Sequence, residues 1–406
     1  MKFKVKYWLR ISLLNLLIVA LLGGLMRYKI GFEFPLFSQK NIQHAHSHFA
    51  FSGWVTHTLY VLMIRFIYNK GALFQKEYSI LLIVNLVCSY GMLFSFFAQG
   101  YGAISIIFST LTIVNSCFFT FYFIRDLNKI KGNTSSNAWF KSALWFNVVS
   151  SLGTFYLAYM LTSHNFNENY YLAAIYFYLH FQYNGFFIFA CLGLLIDEAI
   201  ILFPNFKYDK QIFRLFFVSV IPAYFLSIIW ANLPDWLYLI VVIAAFIQVF
   251  VWVKFVFLIR KSTLNNISIS KFSKYLFLFV AIAYTAKILL QLGSTIPTLS
   301  TLAFGFRPVV IAYLHLVLLA VVSVFLLAFL YTFNLIKKSK LTVTALIIFI
   351  IGVFLNELLL AIQGVAAFKY LIIPNVNEAL FVVAILITLS LIALVISQRN
   401  TELKLE

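Results

Sequence analysis

Four of the seven histidines of this 406-residue chain are crowded into one short stretch, QHAHSHFAFSGWVTH, as His44, His46, His48 and His57. The others are His164, His180 in YFYLHFQYNGFF and His315 in RPVVIAYLHLVLL. Neutral imidazole is the commonest protein ligand for transition metals. On a regular helix His44 and His48 share a face one turn apart, while His46 points nearly opposite, toward the face that His57 shares. The three close histidines therefore cannot all reach one metal ion from a regular helix. If the helix starts later, His44 precedes it and folds back. For any one of them the plainer reading is a hydrogen-bonded packing residue.

Other polar groups interrupt apolar runs: Lys287 and Gln291, one turn apart, then Asn356, Glu357 and Gln363, with Arg307 just before the run that holds His315. A carboxylate such as Glu357 in hydrocarbon must be protonated, paired or wet. Lys287 is a candidate partner for it, or else snorkels to the surface. Tyr183 follows His180 by three residues.

These residues sit in a chain that is 63% hydrophobic and only 10% charged. Soluble domains carry roughly 25% charged residues, so lipid is the solvent for most of this surface. Runs of this length in hydrocarbon must be helices, because each backbone group needs an internal partner. Twelve are expected, near 9–27, 44–67, 77–98, 103–124, 139–162, 170–203, 211–231, 234–260, 272–292, 308–336, 341–363 and 377–397. The fold class is thus all-α integral membrane, a single twelve-helix transmembrane domain over 1–406.

The formal net charge of +18 does not mark a nucleic-acid binder, because the cations cluster in alternate loops as the positive-inside rule requires. Lys2, Lys4, Lys6 and Arg10 precede helix 1; Arg125, Lys129 and Lys131 follow helix 4; Lys337, Lys338 and Lys340 follow helix 10; Arg399 and Lys404 follow helix 12. The intervening loops are poor in Lys and Arg, except the loop after helix 1, which holds Arg27, Lys29 and Lys40. Both termini are therefore expected in the cytoplasm of a bacterial inner membrane. Cys88, Cys117 and Cys191 lie in apolar runs with no CxxC or CxxCH spacing, so they are expected to be small buried residues, with no c-type haem attachment. No internal repeat stands out.

With this topology helices 2, 6 and 10 all run inward, and His48, His180 and His315 fall roughly 5–15 Å below their outer ends. Lys287 and Glu357 fall in the same outer band.

The pieces QHAHSHFAFSGWV, YLHFQYNG and AYLHLVLL, on helices 2, 6 and 10, resemble subunit I of the haem–copper oxidase superfamily, in a compact and divergent branch. The HAH opening also resembles the NnrS family, linked to nitric oxide stress. The resemblance implies a haem b with His315 as one axial ligand and His44, His46 or His48 as the other. It implies propionates held by Arg307 and Lys287, and copper or another metal at His180 with His46, His48 or His315. The pattern departs from the family in three ways. Helix 7 has no histidine, helix 10 has one rather than two, and Tyr183 is spaced by three rather than four. A standard binuclear centre is not encoded. The function implied is a haem- or copper-binding redox membrane protein in respiratory electron transfer or nitric oxide handling, working with other respiratory subunits or an electron donor. The alternatives are a proton- or metal-ion transporter or channel, and a cofactor-free assembly protein.

Overall fold

The computed structural model describes residues 4–32, 34–72, 76–130, 135–163, 166–203, 206–263 and 269–399. His164, Lys2, Lys131 and Lys404 lie outside the described residues. Within them the chain is helical throughout: α1 Val5–Gly31, α2 Gln39–Asn69, α3 Lys76–Gln99, α4 Ala103–Leu127, α5 Ser135–Thr162, α6 Glu168–Leu202, α7 Lys210–Ala231, α8 Asp235–Thr263, α9 Lys271–Gly293, the short α10 Pro297–Gly305, α11 Arg307–Thr332, α12 Lys340–Phe368 and α13 Val376–Ser397. Eleven of these are long and apolar enough to cross a membrane; α5 is the long helix outside that set. The protein is therefore a multi-pass helical membrane protein.

Local chemistry sets the helix starts. Ser38, Asn167, Asp209, Ser270 and Ser339 each accept a backbone N–H from the first turn that follows, replacing a partner that the helix itself cannot supply. Asn232, Asn334 and Asn375 adopt positive φ between helices, a conformation that asparagine tolerates better than most residues.

The chain divides into two compact units, Met1–Asp126 with Leu326–Glu406, and Leu127–Phe325. In the first, α1 packs on both α13 and α2, α2 on α3, and α12 on α13. In the second, α5 packs on α6, α7 on α8, α8 on α9, and α9 on α11. The span at α2 is 89% buried and that at α6 is 67% buried, the two highest shares of all. The helices carrying His48 and His180 are thus the most enclosed, and lipid-facing apolar residues gather on helices such as α4.

Candidate functional site

The three helices that carry intramembrane histidines depart from α geometry at those histidines. α2 becomes π-helical over Ala50–Thr56, two residues after His48. α6 does so over Phe181–Phe187, immediately after His180, and α11 over Leu316–Ser323, immediately after His315. No other described helix contains a π segment. A π turn widens the helix, offsets its hydrogen bonds and is frequent at functional sites. The Ser52 hydroxyl donates to the His48 carbonyl at the first of these junctions, at 2.8 Å.

In the first unit the histidines of α2 diverge, as helical spacing predicts. The Nδ1–H of His46 donates to the Val19 carbonyl of α1 at 3.0 Å. A carbonyl can only accept, so the neutral ring carries its lone pair on Nε2. His48 turns to the other side, where it stacks on Phe96 at 4.2 Å and its Nε2 hydrogen-bonds the Tyr101 hydroxyl at 3.0 Å. His44 packs edge-on against Tyr101 at 4.6 Å, and its buried Nε2 has no hydrogen-bond partner. The helix begins at Gln39, so His44 lies inside it and does not fold back.

Deeper in α2, the π segment exposes carbonyls to its neighbours. Asn15 of α1 donates to the Gly53 carbonyl at 2.6 Å, and Asn85 of α3 donates to the Ser52 carbonyl at 3.1 Å. Tyr90 donates to Asn15 at 2.8 Å. His57 is wholly enclosed beside Trp8 and Asn85, with its Nε2 unpartnered.

In the second unit His180 is 1% exposed and both ring nitrogens are engaged. Nε2–H donates to the Val220 carbonyl at 2.9 Å, and Nδ1 lies 3.1 Å from the Asn184 amide nitrogen, accepting from it. Val220 can accept because α7 tightens to a 3-10 helix at Tyr224. The Tyr224 amide bonds the Ile221 carbonyl, three residues back, rather than that of Val220. The expectation that His180 holds copper thus meets a ring with no lone pair to offer in this arrangement. Among the described residues no three of His, Cys, Asp and Glu gather as a metal-ion group.

His315 differs. Its Nδ1–H donates to the Ile311 carbonyl one turn back at 2.9 Å, which again leaves the lone pair on Nε2. The π segments after His180 and His315 pack on each other, and Tyr183 meets Tyr313 edge-on at 6.2 Å.

Lys287 is 1% exposed and does not snorkel; its ammonium lies 5.2 Å over the Tyr284 ring. Gln291, one turn on, is buried with its carbonyl oxygen unpartnered. Glu357 belongs to the first unit, where Asn356 donates to it at 3.1 Å. Arg307 is exposed at the first turn of α11. Cys88 and Cys191 are buried as expected, but Cys117 is exposed on α4.

Asn15, Asn85, Tyr90, Asn184 and the Val220 carbonyl do not announce themselves in the sequence. One signal does exist. Residues 48–54, HFAFSGW, match residues 180–186, HFQYNGF, at a histidine, a phenylalanine, an aromatic, a small polar residue, a glycine and an aromatic. That short repeat marks the two most buried π segments. No family model matches the chain, and no curated protein matches it.

Proposed function

We propose that this chain is a haem-binding redox protein of the bacterial cytoplasmic membrane, a twelve-span bundle akin to haem–copper oxidase subunit I, exchanging electrons with a respiratory donor. The observation that supports it is the state of two histidines. His46 and His315 each commit Nδ1–H to a backbone carbonyl, which fixes the ring and places the lone pair on Nε2. That is the arrangement that iron-ligating imidazoles usually show. His44, with a buried and unpartnered Nε2, is the remaining candidate on α2. His48 and His180 are held by hydrogen bonds and stacking, and their role is to position the helices.

Haem held by imidazole would supply single-electron transfer. The chain's own contribution is to orient the rings, to exclude water with the aromatic packing around α2 and α6, and to offer a cation at Arg307 for a carboxylate of the group. The test is a reduced-minus-oxidised spectrum of the purified, haem-replete protein. Sharp b-type bands that vanish in His315→Ala and in His46→Ala support the reading, and bands that survive both substitutions oppose it.

A second reading, a proton or metal-ion carrier, draws on Lys287, a buried ammonium with no hydrogen-bond or ion-pair partner among the described residues. Buried ionisable groups in membrane spans mark ion routes. Proton flux into proteoliposomes that is lost in Lys287→Met, from a colourless protein, would favour it.

A further inference from the structure

A recess of ≈ 70 Å³ opens in the first unit where four helix ends meet: the start of α1, the end of α11, the start of α12 and the end of α13. Its rim carries Lys6, Arg10 and Lys337, and among the described residues no acidic one lines it. Leu9 and Ile336, both buried, line its apolar side.

The wall is fixed by hydrogen bonds. The Lys337 amide donates to Gln398 Oε1 at 2.7 Å, and the Lys337 carbonyl accepts from the Thr342 hydroxyl at 2.8 Å. Gln398 in turn donates to Ser397 at 2.7 Å and to Thr342 at 3.3 Å. The chain turns through Asn334 at φ 59, which presents Lys337 to the recess. The neighbouring Lys338 is differently employed: its ammonium caps the Thr332 carbonyl and lies over Tyr331. Among the described residues neither the Lys6 nor the Lys337 ammonium has a hydrogen-bond or ion-pair partner.

The Lys6 and Lys337 ammonium groups at one recess repel each other, and an anion seated between them relieves that repulsion. Helix ends place the recess at the membrane boundary, and its mixed lining of cations and buried aliphatic side chains matches a headgroup above its acyl chains. Basic recesses between helices on this face bind anionic headgroups. We propose that Lys6, Arg10 and Lys337 bind the phosphate of an anionic phospholipid at the cytoplasmic end of the first unit. The site is independent of any redox cofactor.

The test uses the full chain in neutral detergent, titrated with phosphatidylglycerol, phosphatidylcholine or inorganic phosphate and read by native mass spectrometry. Phosphatidylglycerol is expected to bind in preference to phosphatidylcholine. Each charge removed should weaken it about five-fold, so Lys6→Gln/Arg10→Gln/Lys337→Gln should lose about a hundred-fold. The control Lys76→Gln/Lys271→Gln/Lys274→Gln, of equal net charge, should stay within about two-fold. Should the triple variant not fold, the exposed single changes Lys6→Gln and Lys337→Gln carry the same test. Equal losses in both triple variants, or equal binding of the two lipids, would overturn the proposal. Binding of inorganic phosphate without phosphatidylglycerol would keep the anion site but refute the lipid as its occupant.

Discussion

His46 and His315 hold a backbone carbonyl with Nδ1, whereas His180 holds one with Nε2 and accepts from the Asn184 amide at Nδ1. His180→Ala should therefore spare any haem spectrum and act on stability. It leaves the Val220 carbonyl and the Asn184 amide buried without partners, a cost of about 1–3 kcal/mol. A thermal melt in detergent should show a fall of several degrees with the spectrum intact; a lost spectrum with an unchanged melt would make His180 a ligand instead. At the boundary, the Lys254 ammonium bonds Asp209 at 2.6 Å. That bond and the Gln211 amide hold the carboxyl below its ordinary pKa. A carboxyl lowered in the folded state stabilises it above the unfolded value of about 3.9 and loses that effect as pH falls through the lowered value. Because the pair is solvent-exposed, Asp209→Asn should cost no more than about 1 kcal/mol at pH 7. The difference from the parent should disappear as pH falls through that lowered value.

The helices were legible from the apolar runs, to within a few residues at most ends, because hydrocarbon leaves the backbone little choice. The divergence of His46 from His44 and His48 was legible for a similar reason, since it follows from α periodicity alone. The π segments were not, because a single extra residue per turn leaves no trace in hydropathy; it shows only in the carbonyls that Asn15 and Asn85 come to meet. Deleting Ala50 should restore α geometry, returning the Ser52 and Gly53 carbonyls to the helix's own hydrogen bonds. Both amide contacts would be lost, and a large drop in stability is expected; an unchanged melt would show that the π turn is dispensable. Close packing sets a second element-scale test. A Cβ at Gly153 would stand 2.6 Å from the Ala174 carbonyl of α6. Backbone cannot yield as a side chain can, so Gly153→Ala should cost about 1–3 kcal/mol, read as a lower melting temperature.

At the scale of the whole molecule, eleven described helices are fit to span the bilayer, and α5 decides the topology. If α5 also crosses, twelve spans return both ends of the chain to one side. Reporter fusions at the two termini should then both read as cytoplasmic; opposite readings would remove α5 from the membrane. Composition carried the apolar helices. It carried less about the site, because ligation is set by which ring nitrogen a carbonyl holds, and no residue count records that.

The most direct measurement of the redox reading is haem content. The protein, expressed with ample haem and purified in detergent, should bind b-type haem stoichiometrically, with reduced-minus-oxidised bands abolished by His315→Ala and by His46→Ala but kept in His180→Ala. A folded, colourless protein, or one whose bands are untouched by both substitutions, would contradict it.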